Sequence, residues 1–314
     1  MTRRLRAVLL ALTAALVAMA AVLLAVNPPG GADTDVPGAR PQEAPSAVAG
    51  QPVPAITGTP AVRLAVAGDT GTGTNAERAT ARSMAAQARA EPYDALLLLG
   101  DLIYDNGRYG DGNPALLESA LTEPFAPVLD TGATLLPVLG NHDYRSGRQQ
   151  EILSKLGRDR SWYVKRLGPL KIVVLDSNRV RDPAQTQWLR DTLAAAEPPG
   201  TWTIAAMHHP AYSSGRHGSD PDVQRTWAPL FSQYGVRLAL SGHDHDYERS
   251  FPQGGVTYVV SGAGAKLRPA GREDFTAVST STLHYLDLLV YDDQLIGRAI
   301  AHNGNLIDAF TITR

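Results

Sequence analysis

The sequence contains no cysteine among its 314 residues. This excludes disulfide bonds, cysteine-ligated zinc and thiol catalysis, so a metal ion would need histidine, aspartate, asparagine or tyrosine ligands. Excess charge is also lacking, because the formal net charge at pH 7 is −2. Nucleic acids and anionic membrane surfaces are bound through basic faces, so we expect no nucleic-acid partner. Hydrophobic residues make up 44% of the chain, enough for a substantial core.

The first 26 residues have the pattern of an export segment. An arginine-rich start precedes a run from Ala7 to Val26 that contains no charged residue. At about 1.5 Å per helical residue, this run would span about 30 Å, the thickness of a bilayer core. Residues 1–26 are therefore either an uncleaved membrane anchor or a signal peptide, for which Gly30 and Ala32 supply small residues near a cleavage point. Both alternatives export the rest of the chain, secreted or anchored, with the N-terminal segment engaging the membrane or the export machinery.

A change in composition divides the remaining chain in two. Residues 27–60 are rich in proline, glycine and alanine and contain no aromatic residue. Such a segment buries too little apolar surface to offset the entropy lost on ordering, so we predict a semi-extended linker. One folded domain is predicted over residues 61–314.

Five short apolar runs in this domain each end at a polar residue. They are Arg63–Gly68 before Asp69, Ala95–Gly100 before Asp101, Thr134–Gly140 before Asn141, Thr201–Met207 before His208, and Val236–Gly242 before His243. Nearly all-apolar runs of this length suit strands buried on both faces. Helix-like stretches at 75–90 and 185–196 alternate with them, which predicts a layered α/β fold with a largely parallel sheet.

Four later apolar runs are joined by tight turns with few helical patterns between them. They are Thr257–Val260, Tyr285–Tyr291, Leu295–Ala301 and Leu306–Thr313. This arrangement predicts an antiparallel second sheet that packs on the first.

The polar residues at the five strand ends are candidate ligands. In open α/β sheets, ligands bind beyond the carboxyl ends of strands, where loops converge. Taken singly, an aspartate or asparagine after a glycine is more often a turn former or helix cap. Five successive strand ends that each present a hard or borderline metal ligand point to a metal site instead.

Five motifs carry a resemblance to a known family. They are GDTG at 68–71, GDLIY at 100–104, GNHD at 140–143, MHHP at 207–210 and GHDHDYER at 242–249. In this order they resemble the ligand motifs of the metallophosphoesterase superfamily. Tyr104, three residues after Asp101, and Gly71, where many members have a histidine, are similar to the purple acid phosphatases in particular. The resemblance implies a layered αββα sandwich of two mixed sheets flanked by helices, of the compact single-domain type.

The same resemblance implies a dinuclear metal centre. It assigns Asp69, Tyr104 and His245 to one metal, Asn141, His208 and His243 to the other, and Asp101 to a bridge between them. A phenolate with two carboxylates suits Fe(III), whereas two imidazoles and an amide oxygen suit Zn, Mn or Fe(II). Because His243 and His245 are two residues apart, an extended segment turns them to the same side and turns Asp244 away.

Other histidines receive different roles. The resemblance implies that His142 and His217 contact the phosphate and protonate the leaving group. These are the two catalytic residues expected besides the metal ligands. We expect His209 to face away from the site, and His284 and His302 to be structural.

The function implied is hydrolysis of small phosphate monoesters by in-line attack of a metal-activated hydroxide, as in acid phosphatases. Two alternatives stay open. One is a phosphodiesterase of the same superfamily, because pocket loops rather than the metal core decide between esters. The other is a metal-binding surface protein without activity. The sequence does not specify the oligomeric state.

Overall fold

The computed structural model describes residues 51–52, 55–104 and 111–314. The predicted signal or anchor segment, 1–26, and most of the predicted linker, 27–60, lie outside the described residues. Over the part of the chain that is described, no helix is both long and apolar enough to cross a membrane.

Fourteen strands are found among the described residues. In chain order, β1 to β14 are Gln51–Pro52, Val62–Ala67, Ala95–Leu98, Thr134–Pro137, Tyr163–Leu167, Leu170–Val174, Trp202–Ala206, Leu238–Ser241, Tyr247–Ser250, Thr257–Ser261, Thr276–Thr280, His284–Val290, Gln294–Ala301 and Asn305–Thr313. They form two seven-stranded sheets. The first has the order β1-β14-β13-β12-β2-β3-β4, and the second has the order β11-β9-β10-β8-β7-β6-β5.

The described helices lie on the outer faces of these sheets. In chain order, α1 to α7 are Asn75–Ala90, Glu123–Leu129, Asn141–Tyr144, Gln149–Lys155, Pro183–Ala194, Pro221–Thr226 and Ala228–Gln233. Helices α5 and α6 begin with the same local signal, an aspartate followed by proline. The carboxylates of Asp182 and Asp220 accept hydrogen bonds from the first backbone N–H groups of their helices.

Three apolar cores hold the layers together. The central core joins the facing sides of the two sheets, and one further core lies between each sheet and its helices. Strand β2 shows the alternation behind this arrangement. Leu64 and Val66 lie in the central core, whereas Ala65 and Ala67 pack under α1 with Met84. The implied αββα sandwich of two mixed sheets is confirmed.

The grouping of strands differs from the prediction of one parallel sheet and one later antiparallel sheet. Strand β12 pairs antiparallel with β2, with Leu286 opposite Val66, so the last three strands complete the first sheet. Strand β10 instead pairs parallel with β8 in the second sheet. A strand that is buried on both faces has the same apolar composition in either sheet. Its sequence therefore does not reveal which strand it pairs with.

Strand pairing also extends into the predicted linker. Gln51 and Pro52 pair with Leu306 and Asn305 on the last strand. The first sheet therefore includes two residues upstream of the boundary predicted at residue 61.

The two sheets meet at the carboxyl ends of their parallel strands. The backbone N–H of Gly68, after β2, donates to the carbonyl of Ser261 at the end of β10 at 2.7 Å. His208 Nδ1, after β7, donates to the Leu99 carbonyl at 2.8 Å. These contacts bring the polar strand ends of both sheets into one region.

Candidate metal centre

Tyr104 is the centre of one cluster of predicted ligands. Its hydroxyl lies 2.8 Å from Asp69 Oδ1, 2.7 Å from Asp101 Oδ2 and 3.2 Å from His245 Nε2. His245 Nε2 also lies 3.3 Å from Asp69 Oδ1. All four residues are buried. The structure thus brings the three ligands assigned to one metal together with the assigned bridge.

Asn141 is the centre of the second cluster. Its Oδ1 lies 3.0 Å from His208 Nε2 and 3.1 Å from His243 Nδ1, and these two nitrogens are 3.3 Å apart. The bond from His208 Nδ1 to a carbonyl leaves Nε2 of the neutral ring without a proton. The three ligands assigned to the other metal therefore converge as well.

Asp101 lies between the two clusters, and each of its oxygens faces one of them. Oδ2 is 2.7 Å from the Tyr104 hydroxyl, and Oδ1 is 3.4 Å from His208 Nε2. The backbone N–H of His142 donates to Oδ1 at 2.9 Å and fixes the carboxylate. This orientation is the one a bridging carboxylate needs.

Three of the assigned ligands have a left-handed backbone. Among the described residues, Asp69, Asp101 and His243 are the non-glycine residues with positive φ, at 57°, 53° and 73°. Such a conformation costs about 1–3 kcal/mol and persists where the surroundings fix it. Each of the three directly follows a glycine at a strand end, and His243 N donates to Asp69 Oδ2 at 2.8 Å.

Two glycines leave room for these tightly packed loops. A Cβ on Gly140 would lie 2.1 Å from Asp101 Oδ1, so no side chain fits beside the assigned bridge. A Cβ on Gly71 would lie 2.0 Å from the carbonyl carbon of Leu102. Residue 71 therefore cannot supply the histidine that many superfamily members have there.

Burial and charge act in opposite directions on the two central carboxyl groups. Burial raises the pKa of Asp69 well above its ordinary value, although His208 nearby acts to lower it. Burial also acts to raise the pKa of Asp101, but His208 and His142 beside it lower that pKa below its ordinary value. A bound cation would stabilise both groups as carboxylates.

Two imidazoles of the site, those of His243 and His245, are held in their neutral form. Burial, together with Lys266 nearby, lowers the pKa of His245 to about 3. Burial and His208 lower the pKa of His243 far below its ordinary value. A neutral imidazole is the form that binds a metal ion, so both rings are ready to bind one near neutral pH.

His142 is oriented toward Asp101 by a second carboxylate. Its Nδ1 lies 2.6 Å from Asp111 Oδ2, and its Nε2 lies 3.9 Å from Asp101 Oδ2. Its ring centroid is 4.4 Å from that of Tyr104. Burial lowers the pKa of His142, so the free ring is mostly neutral near pH 7.

His217 lies over His243, with 4.4 Å between ring centroids and 35° between ring planes. Its loop is held by Asp244, whose Oδ1 accepts from His217 N at 2.8 Å and whose Oδ2 accepts from Gly218 N at 3.2 Å. Ser213 Oγ also donates to Oδ2. Asp244 therefore holds the loop that carries His217. The segment 243–246 is a bend and not the extended segment predicted, with His243 at a φ of 73°.

The expectation that His209 faces away from the site is wrong. Its ring centroid lies 4.5 Å from that of His243 and 5.0 Å from that of His208, and one nitrogen from each of the three rings lies within 4.8 Å of the others. Strand β7 ends at Ala206, so the side-chain alternation of a strand no longer applies at His209. Ser177 Oγ, 2.7 Å from His209 Nδ1, holds the ring in place.

Sequence reasoning missed four further residues near the centre. They are Asp111 and Ser177, described above, Asp143, and Lys266, whose Nζ lies 4.1 Å from the ring centroid of Tyr104. Asp143 is buried and accepts from Ile103 N at 3.1 Å and from Gly140 N at 2.8 Å, which ties two ligand loops together.

Only some of the missed residues had a signal in the sequence. Ser177 follows the apolar run 170–175 and Asp176, the same pattern that marked the other strand ends. Lys266 lies in a glycine-rich loop after β10 and carries no comparable signal.

The donor set fits a pair of metal ions. Each cluster offers three side chains whose donor atoms lie within 3.3 Å of a neighbour, and the assigned bridge lies between them. One cluster is rich in anionic oxygen and the other is rich in imidazole, so two different ions suit them.

Comparisons with known proteins agree with this geometry. Residues 62–247 match the family model described as calcineurin-like phosphoesterase. Human tartrate-resistant acid phosphatase type 5 is 30% identical over 253 residues, which cover 68% of this chain and 76% of that protein. Two solved structures have a similar fold. The purple acid phosphatase PPD1 from yellow lupin seeds has a TM-score of 0.63 at 20% identity, covering 81% of this chain and 54% of that one. GAP50 of Plasmodium has a TM-score of 0.69 at 16% identity, covering 80% and 88%.

Proposed function

The chain belongs to the calcineurin-like phosphoesterase family, and from that premise we propose that it hydrolyses phosphate monoesters at a dinuclear metal centre. The observation that carries this proposal is the orientation of Asp101, whose two oxygens face Tyr104 at 2.7 Å and His208 at 3.4 Å. A carboxylate shared by two ligand clusters is what a pair of neighbouring ions requires.

The proposed ligands divide by chemistry. Asp69, Tyr104 and His245 would hold Fe(III), whereas Asn141, His208 and His243 would hold Zn, Mn or Fe(II), with Asp101 shared. When bound, such a pair of ions supplies Lewis-acid activation of a water molecule and of the phosphoryl oxygens.

The two proposed catalytic histidines act on the substrate. Asp111 fixes the orientation of His142 through Nδ1, so that His142 Nε2 faces the Asp101 carboxylate and, once the ring is protonated, can donate to a phosphate oxygen. His217 lies over His243 on a loop held by Asp244, a position from which it can protonate the leaving oxygen. An alkoxide leaves poorly without a proton, so this role matters most for alkyl phosphates.

We place this activity outside the cytoplasm. The proposal rests on the charge-free run after the arginine-rich start of the sequence, which predicts a cleaved or uncleaved export segment at 1–26. The partners proposed are small phosphorylated molecules and not nucleic acids.

The test is hydrolysis by the purified full-length protein after loading with iron and zinc. We expect 4-nitrophenyl phosphate to be hydrolysed faster than bis(4-nitrophenyl) phosphate. We expect Asn141→Ala to lose most of the activity and also one of the two kinds of bound ion. Faster cleavage of the diester would overturn the monoester assignment. Absence of both activities from protein carrying two ions per chain would overturn the hydrolase itself.

A further inference from the structure

One lysine lies at the edge of the proposed metal centre. The sequence has four lysines, and two of them, Lys155 and Lys171, lie within ion-pair distance of a glutamate. Lys266 is different: its Nζ lies over the Tyr104 ring, 4.1 Å from the centroid, and over residues 55–104 and 111–314 it has no carboxylate within 4.0 Å. It is only half-buried, so its ammonium can reach a molecule that enters the site.

The loop that carries Lys266 is packed directly on the ligand loops. We define the Lys266 loop as Gly262–Arg268. Gly264 N donates to the Gly68 carbonyl at 3.1 Å, and Arg268 N donates to the His245 carbonyl at 2.9 Å. A Cβ on Gly264 would lie 2.5 Å from the Gly68 oxygen, so the approach of the two backbones depends on glycine. The position of the lysine is therefore set by the same loops that set the proposed ligands.

Once loaded with metal ions, the site would favour an anion near this lysine. Two ions, each of charge +2 or more, would outweigh the charge of two carboxylates and one phenolate. Lys266 then adds positive charge to a site that is already positive, which is unfavourable at low dielectric. An anion that binds the ions and the lysine together removes this repulsion. Before loading, burial and Arg268 lower the pKa of Lys266, and the charges of Asp69, Asp101 and Asp111 partly offset them.

We propose that Lys266 binds an oxygen of the substrate's phosphate group and thereby favours dianionic monoesters over monoanionic diesters. The proposal rests on the proposed function, because it concerns the substrate of the same site. A monoester has one more negative charge and one more unsubstituted oxygen than a diester. A charged hydrogen bond to that oxygen is worth about 1.5–3 kcal/mol, or about 10- to 100-fold in affinity.

The test compares Lys266→Met with the matched control Lys165→Met, a partly exposed lysine on the outer strand of the second sheet. For Lys266→Met we expect inorganic phosphate to inhibit about 10- to 100-fold more weakly, and kcat/KM for 4-nitrophenyl phosphate to fall by a similar factor. The value for bis(4-nitrophenyl) phosphate should fall by less than threefold. Lys266→Arg should recover part of the loss, and metal content should stay at the wild-type level in all three variants.

A second measurement separates this inference from the proposed function. Calorimetry of inorganic phosphate binding to the metal-loaded protein reports on Lys266 even if neither ester is hydrolysed. Loss of phosphate affinity in Lys266→Met alone supports the inference. Equal affinity in wild type and Lys266→Met, or no binding to wild type, would overturn it. Lys266→Met could instead lose metal while phosphate binding per bound metal pair stays unchanged. That result would overturn the inference and assign the lysine to metal retention.

Discussion

Asp101 is the residue on which both halves of the site depend. Replacing it with alanine removes the shared carboxylate, so we predict that Asp101→Ala loses metal at both positions and has no measurable phosphatase activity. Metal analysis of the dialysed protein checks this, with the exposed Asp159→Ala as control. Two tightly retained ions per chain in Asp101→Ala would contradict the bridging role.

In the proposed assignment, Tyr104 would favour Fe(III) in the first cluster. A phenolate bound to Fe(III) gives a ligand-to-metal charge-transfer band in the visible, so we predict that the oxidised, iron-loaded protein is purple to pink. Tyr104→Phe should lose this band and retain more activity than Asp101→Ala, because Tyr104 does not lie between the clusters. The visible spectrum measures the effect, and Tyr234→Phe serves as the matched control. A colourless wild-type protein, or an unchanged band in Tyr104→Phe, would remove the ferric phenolate but not the two-metal site.

At the scale of elements, the loop 213–218 depends on one buried carboxylate. Asp244 accepts from two backbone N–H groups and a hydroxyl of this loop. Asp244→Asn keeps the size but replaces one accepting oxygen with an NH₂ group that repels a backbone donor. We predict about a tenfold loss of kcat for alkyl phosphates and a smaller loss for 4-nitrophenyl phosphate, since His217 is displaced.

Steady-state kinetics with both substrates measures this effect, and Asp292→Asn, in an exposed turn, is the control. Equal losses for alkyl and nitrophenyl substrates would show that the loop does not position a proton donor. Metal content should not change.

Elements that follow a clean apolar pattern could be predicted from the sequence. Helix α1 has the predicted bounds, and the strands before the five motifs lie within one to three residues of theirs. Strands β5, β6 and β9 were missed because charged residues interrupt their apolar pattern, and β11, built mainly of threonine and serine with few apolar residues, was missed as well. Two of these charged residues are accommodated in strands because each has an ion-pair partner in the fold: Arg166 on β5 pairs with Glu197, and Arg249 on β9 pairs with Asp308. Partners so distant in sequence cannot be read from local periodicity.

The candidate ligands could be predicted from the sequence because the type of side chain identifies them. The backbone conformation and the direction of individual side chains could not be predicted, because they depend on the folded geometry. The motifs identify Asp69, Asp101 and His243 as candidate ligands, but not the positive φ that each of them adopts. Likewise, His209 could be placed only once the end of β7 and the contact with Ser177 were known.

At the scale of the molecule, a buried histidine links stability to pH. His284 is fully buried, with Nε2 3.0 Å from Ser261 Oγ and Nδ1 donating to the Thr282 carbonyl at 2.8 Å. Its contacts are consistent with the structural role expected for it. Burial lowers the pKa of His284 from 6.5 to about 4.

The unfolded chain therefore binds a proton on His284 between pH 6.5 and 4, whereas the folded protein does not. The free energy of unfolding should fall as the pH drops through this window, by up to about 3 kcal/mol from this group. His284→Gln, which keeps one donor and one acceptor, should reduce that dependence. Urea denaturation of metal-loaded protein at pH 7, 5.5 and 4.5 measures it. The same slope in wild type and variant would exclude His284 as the source.

All seven proposed ligands lie before residue 250, yet one of the two strands that flank β2 in the first sheet is β12. A nascent chain that has emerged as far as His245 carries every proposed metal ligand, but β2 has an unpaired edge that exposes backbone donors and acceptors. The region that matches the family, 62–247, lacks four of the seven strands of the first sheet, so we expect it not to fold on its own. The C-terminal hairpins hold no proposed ligand, yet we expect the centre to assemble only after they have been made.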